Sequence, residues 1–158
     1  MKRHSQTTVS IRKNSSRRAV AAVDFALVAP LLVLVVLGTI DVGQYVNVGQ
    51  VVNNASREGG RYACRNDVTT VSEVTTKVQN YMASAFPSVS SGDLNAALTV
   101  TVRDENNAVI PAGDLTTIPS GSGVSVQVTL QFEPVRWLGG FVNLSGTSCT
   151  TTTLMRRE

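Results

Sequence analysis

The sequence predicts an α+β protein, in which one apolar helix near the N-terminus precedes a small domain of helix and antiparallel sheet. An apolar run extends from Ala19 to Ile40, and helical periodicity continues beyond it to about residue 85. After Ser90–Ser91–Gly92 the period of the apolar residues changes to two, which is typical of half-buried strands. Each strand then has one apolar face that needs a cover, and amphipathic helices supply it.

The chain begins with a basic segment that is followed directly by the apolar run. Residues 1–18 carry six of the 14 Lys and Arg residues and no acidic residue. The run 19–40 holds Asp24 as its single ionisable group. As a helix this run is about 33 Å long, which is enough to cross a hydrocarbon core of about 30 Å. We therefore predict a basic cytoplasmic leader over 1–18 and a transmembrane helix over 19–41.

The basic leader also predicts the orientation. Positive residues beside a span are retained in the cytoplasm, so the rest of the chain is expected on the exported side. A cleaved signal peptide has an apolar stretch of only about 7–15 residues and a small-x-small cleavage site. This run is longer and continues into Asp41–Val42–Gly43 without such a site. Nucleic-acid binding is the usual alternative for a basic tail, but the adjacent apolar run favours membrane orientation.

Helical periodicity predicts two further helical segments. The first helix is expected to extend outside the membrane over 42–66, ending near Gly59–Gly60 or near Cys64–Arg65–Asn66. Inside the span, Pro30 removes one intrahelical hydrogen bond and should bend the helix. A second helix is predicted from about Val68 to Ala85, where valines recur at helical spacing.

The remaining strands complete an exported α+β domain predicted over 67–158. Leu98, Val100 and Val102 alternate with polar residues. A longer alternation runs from Val124 to Phe132, and a last strand is expected from about Ser145 to Met155. These patterns predict an antiparallel sheet of three strands.

The chain has two cysteines, Cys64 and Cys149, and both follow the predicted span. In an oxidising compartment a disulfide between them would tie the end of the first helix to the last strand. In the chain-entropy model it would stabilise the fold by up to about 4–5 kcal/mol. Two independent buried thiols are the alternative, and the sequence leaves both open.

No constellation of residues predicts catalysis. The single histidine, His4, lies in the basic leader. No cluster of His, Cys and acidic residues has the spacing of metal ligands, and no glycine-rich motif has the spacing of a phosphate-binding loop. We expect no catalytic residue, no cofactor, no metal and no nucleic-acid partner.

Three segments, taken in order, resemble a known family. Residues 17–30 read RRAVAAVDFALVAP and lead into the leucine-rich run Leu31–Leu37, and residues 55–63 read ASREGGRYA. The ending Leu154–Glu158 is also similar. This order resembles TadE-like proteins, which are minor pilin-like components of bacterial tight-adherence (Tad/Flp) pilus systems. The resemblance implies a pilin-like fold and a single-pass protein of the bacterial inner membrane, with its C-terminal domain exported and available for incorporation into a pilus.

The resemblance further implies processing by a prepilin peptidase. In pilin-like precursors the cut is on the cytoplasmic side and the acidic residue becomes the fifth of the mature chain, which places the cut between Ala19 and Val20. The family usually has Gly before the cut and Glu as the acid, whereas this chain has Ala19 and Asp24. The extra methyl group predicts slower cleavage. The other implied partners are a major pilin, further pilin-like subunits and the inner-membrane assembly platform, besides the lipid bilayer.

Asp24 has two interpretations. An ionised carboxylate costs roughly 2.5–3.5 kcal/mol at the centre of a span and less near the interface. Asp24 can therefore lie at shallow depth, paired with headgroup water or with Arg17 or Arg18. In the interpretation that the resemblance implies, it pairs with the new amine at Val20 of a neighbouring subunit. The whole chain has an alternative function too: a single-pass envelope protein whose exported domain binds a ligand and which never assembles.

Overall fold

A computed structural model of the chain describes residues 15–111, 114–136 and 146–158. The leader predicted over 1–18 thus lies mostly outside the described residues. The elements in chain order are α1 (Ser15–Ala63), α2 (Val71–Ala85), α3 (Ser91–Ala97), β1 (Leu98–Arg103), β2 (Gly123–Gln131), a 3-10 helix (Glu133–Val135) and β3 (Ser148–Arg156). The predicted α+β fold with one long N-terminal helix is confirmed. The chain divides into two compact units, of which the first ends at Thr39 and the second runs from Ile40 to Glu158.

The described part of the first unit is the N-terminal part of α1. Its large apolar side chains are exposed, and they include Val20, Val23, Phe25, Leu27, Leu31, Leu32, Val33, Leu34, Val35 and Val36. Within the described residues, α1 is the one helix long and apolar enough to span a membrane. Pro30 lies inside this helix, which continues on both sides of it. The predicted bend at Pro30 stays a prediction.

In the second unit α1 continues past Gly59 and Gly60 and ends at Ala63. This confirms the later of the two predicted ends. A Cβ atom at Gly59 would lie 2.7 Å from Cγ2 of Val78 and 3.2 Å from Cγ1 of Val126. Because a side chain does not fit there, Gly59 lets α1 approach α2 and β2 closely. This glycine serves packing and does not end the helix.

Two short polar segments start the next two helices. Helix α2 begins at Val71, after Thr70, whose hydroxyl accepts a hydrogen bond of 3.3 Å from the backbone N–H of Glu73. Helix α3 is capped in the same way, because the Ser90 hydroxyl accepts from the backbone N–H of Asp93 at 3.2 Å. Helix α3 is not predicted from the sequence, because Ser90–Ser91–Gly92 has the composition of a turn.

The sheet has the strand order β1-β2-β3, and both pairs of neighbours are antiparallel. The predicted three-stranded antiparallel sheet is confirmed. On β2 the apolar residues of the alternation are fully buried: Val124, Val126, Val128 and Leu130. Helix α1 contacts this face, where the Ser56 hydroxyl donates to the backbone oxygen of Val126 at 2.8 Å. The core of the second unit therefore lies between the helices and one face of the sheet.

Candidate functional site

The predicted processing residues lie on the exposed surface of α1. Ala19 and Val20 are in its second turn, counted from Ser15, and Val20 is 69% exposed. The bond between them is therefore accessible from the side, but it lies in helical backbone. A peptidase that needs an extended substrate would have to unwind the first turns of the helix, where helix ends fray most easily.

Asp24 is exposed and lies one helical turn after Val20. Residues four apart lie on the same face of a helix, so an amine created at Val20 would be on the same face as this carboxylate. Among the described side chains no cation lies within ion-pair distance of Asp24, Arg17 and Arg18 included. Both interpretations of Asp24, at shallow depth with headgroup water or an arginine and paired with a neighbouring amine, stay predictions.

A buried ion pair joins the start of the second unit to the segment after β2. The guanidinium of Arg136 contacts the carboxylate of Asp41 at 2.5 Å, and a second hydrogen bond, from Nε to Oδ1, measures 3.3 Å. The side chains of Asp41 and Arg136 are 1% and 4% exposed. One turn later, the Gln44 side chain donates to the backbone oxygen of Val135 at 3.5 Å. These contacts fix the first turn of α1 in this unit against the 3-10 helix.

No pattern in the sequence indicates this pair. Asp41 is the last residue of the predicted span, and 95 positions separate it from Arg136. The one signal available was an acidic residue directly after an apolar run, which does not identify a partner.

Of the two alternatives for Cys64 and Cys149, the disulfide is not formed in this fold, where both cysteines are free and buried. Cys149 lies at the start of β3. Cys64, which directly follows α1, lies beside the other end of β3, where its backbone oxygen accepts a hydrogen bond from Glu158 N–H at 3.0 Å. Eight strand residues at about 3.3 Å each separate Cys149 from Arg157 by about 26 Å. A disulfide requires Cα atoms within about 7 Å. The alternative of two independent thiols is the one that the structure shows.

Burial raises the pKa of both thiols. For Cys64 the nearby positive charge of Arg157 opposes this effect, and for Cys149 the hydrogen bond with Tyr45 opposes it. The same contact raises the pKa of Tyr45, chiefly because a charged Cys149 would repel the phenolate. Thiols that stay protonated are weak nucleophiles. The two cysteines therefore serve packing.

The C-terminus is held by a buried arginine. Arg157 is 6% exposed and donates to the backbone oxygen of Leu115 and, at 3.2 Å, to that of Val68. The neighbouring Arg156 is exposed. The last residues therefore cover the connection between α1 and α2. No pattern in the sequence predicts this role for Arg157.

Together, these features fit one class, that of single-pass membrane proteins: one long apolar helix continues into a small α+β domain with its own core. The family model described as TadE-like protein matches residues 19–61. The resemblance predicted from the sequence is confirmed over this segment, which contains Ala19, Val20 and Asp24, and it supports a pilin-like protein associated with a Tad pilus. Comparison with curated proteins and with solved structures yields no match.

Proposed function

We propose that this chain is a component of a bacterial Tad-type pilus system, inserted once in the inner membrane with its N-terminus in the cytoplasm. A prepilin peptidase cuts it between Ala19 and Val20, and the mature chain joins a major pilin and other pilin-like subunits at the membrane assembly platform. The match to the TadE-like family carries this proposal, because it covers residues 19–61 and so includes both sides of the predicted cut.

The geometry of α1 supports assembly after cleavage. A helix with apolar side chains exposed all round can exchange lipid for the helices of neighbouring subunits at little cost in hydrophobic free energy. Asp24 is then the exception, since an ionised carboxylate in an apolar environment needs a partner. The amine created at Val20 of a neighbouring subunit supplies one.

N-terminal sequencing of the membrane-extracted chain, co-expressed with a prepilin peptidase, tests the processing step. We expect the mature chain to begin at Val20. Ala19→Gly should raise the cleaved fraction, because the residue before the cut must be small, and Ala19→Leu should abolish cleavage. Ala26→Gly, in the same helix but away from the cut, is the matched control and should leave cleavage unchanged. An intact Met1 or Lys2 in every variant would contradict the proposal and favour the non-assembling envelope protein.

A second experiment tests the role of the acid. Asp24→Asn removes the charge but leaves the cut site, so we expect cleavage at Val20 with loss of co-purification with the pilin-like subunits. Asp24→Glu keeps the charge and should retain co-purification. If Asp24→Asn assembles as well as the unsubstituted chain, the charge has no part in assembly.

A further inference from the structure

The two edges of the sheet differ in how well they are covered. At the edge formed by β1, Arg103 bridges to Val109 and the Ile110 N–H donates to the backbone oxygen of Val102 at 2.9 Å. At the other edge lies β3, nine residues long, and no described segment pairs with its outer side. Edge strands usually carry charges, prolines or bulges that prevent pairing. β3 has no charge and no proline before Arg156.

The register shows which backbone groups of β3 face outward. At its two ends, Phe132 N–H donates to the oxygen of Thr147 and Arg157 N–H donates to the oxygen of Ser122, both at 3.0 Å. Hydrogen-bonded pairs alternate along an antiparallel ladder, so the odd-numbered residues of β3 bond to β2. Thr150, Thr152 and Leu154 consequently direct their N–H and C=O groups away from the sheet.

One face of α1 contacts β3, and part of the same face is left uncovered next to the strand. A Cβ at Gly60 would lie 3.4 Å from Cγ2 of Thr153 and 3.5 Å from the sulfur of Met155. Val42 and Gly49 precede Gly60 by five and three helical turns and therefore share this face. A Cβ at Gly49 would meet nothing within 4 Å, and Val42 is 65% exposed.

We propose that the outer edge of β3 accepts an extended segment of a different pilin-like subunit as a fourth strand, whose inward side chains rest on this face of α1. The inference rests on the proposed function, which supplies the neighbouring subunit. Backbone donors and acceptors that alternate along an edge are complementary to extended polypeptide. Because the facing residues of β3 are uncharged, the incoming segment is uncharged at its centre, with β-branched or apolar residues towards α1.

A second copy of β3 does not fit this edge. The part of α1 in the second unit runs in the same direction as β3. Tyr45 contacts Cys149 near the start of each, and Gly60 lies beside Met155 near the end of each. Antiparallel pairing of two β3 strands would put the two Ile40 ends on opposite sides, and both chains could not then enter one membrane in the same orientation. Parallel pairing would bring the two Arg156 side chains together, which is repulsive.

The test substitutes one outward-facing residue in the full chain. Thr152→Pro removes an N–H that β2 does not use and is therefore compatible with an edge strand, whereas Thr152→Val keeps the N–H and is the matched control. With the chain co-expressed with the other Tad subunits, we expect Thr152→Pro to reduce the recovered complex at least tenfold, and Thr152→Val to leave it unchanged. Both variants should still be cut at Val20.

Hydrogen exchange of the unsubstituted chain provides a measurement that does not depend on the folding of a variant. In the complex, the amides of Thr150, Thr152 and Leu154 should exchange at least tenfold more slowly than in the chain alone in detergent. Equal exchange rates, or a complex that tolerates Thr152→Pro, would overturn the inference and leave the proposed function intact. An uncut chain that forms no complex would overturn both.

Discussion

The carboxylate of Asp41 and the guanidinium of Arg136 are both almost completely buried, at 1% and 4% exposure, so neither can lose its partner without leaving an uncompensated charge. Asp41→Asn keeps the size of the side chain and removes its charge. We expect the free energy of unfolding of the domain to fall by about 3–5 kcal/mol. Chemical unfolding of the full chain in detergent measures it.

An exposed pair in the same chain is the control for Asp41→Asn. Arg65 and Asp67 also approach to 2.5 Å, but their side chains are 56% and 64% exposed. Because water screens such a pair, Asp67→Asn should leave the free energy of unfolding almost unchanged. Similar small losses in both variants would show that the buried pair does not hold α1 to the domain.

The thiols of Cys64 and Cys149 predict a pH dependence. Burial raises the pKa of both in the folded chain, while in the unfolded chain a thiol titrates near its ordinary pKa of about 8.5. Below about pH 8.5 the thiols are protonated in both the folded and the unfolded chain, and their contribution to the free energy of unfolding is fully present. Above it the unfolded chain ionises first, so the free energy of unfolding falls as the pH rises towards the folded-state pKa values.

Thermal unfolding at a series of pH values checks this. The unsubstituted chain should lose stability above about pH 8.5, and a Cys64→Ala/Cys149→Ala variant should show a flatter profile over the same range. Identical slopes for the two proteins would contradict the assignment to the thiols. Reductant should leave the mass of the chain unchanged, because the fold holds no disulfide between these cysteines.

At the scale of elements, alanine substitutions at two glycines of α1 distinguish the effect of helix propensity from that of packing. Glycine costs about 1 kcal/mol relative to alanine inside a helix. At Gly49 a Cβ meets nothing within 4 Å, so Gly49→Ala should stabilise by about 0.5–1 kcal/mol. At Gly59 the added methyl group would meet Val78 at 2.7 Å, and overpacking of about 1–3 kcal/mol should outweigh the gain. Equal melting temperatures for the two variants would contradict the close packing of α1 on α2.

Elements defined by local patterns were predictable, and contacts between distant residues were not. The alternation of Leu98–Val102 and Val124–Phe132 predicted β1 and β2 because period two identifies a strand with one buried face. Helix α3 was missed because a seven-residue helix has too few turns to show a period. The Asp41–Arg136 pair, and the separation of the cysteines along β3, depend on how the elements are arranged in space, which local patterns do not contain.

At the scale of the whole chain, apolar surface is distributed unevenly between the two units. In the second unit the apolar side chains of α1, α2 and the sheet form one buried cluster. In the first unit, those of α1 between Val20 and Val36 are mostly more than half exposed. In water an apolar surface of this size is unfavourable, and contact with lipid removes the cost. The division therefore favours a span with a separately folded domain after it.

A reporter fused after Glu158 tests this central claim most directly. Alkaline phosphatase becomes active only outside the cytoplasm, and we expect it to be active when fused at this position. A fluorescent protein that folds only in the cytoplasm should not fluoresce when fused at the same position. Deleting residues 19–40 should reverse both results. A fluorescent reporter and an inactive phosphatase on the unsubstituted chain would contradict a span with an exported domain.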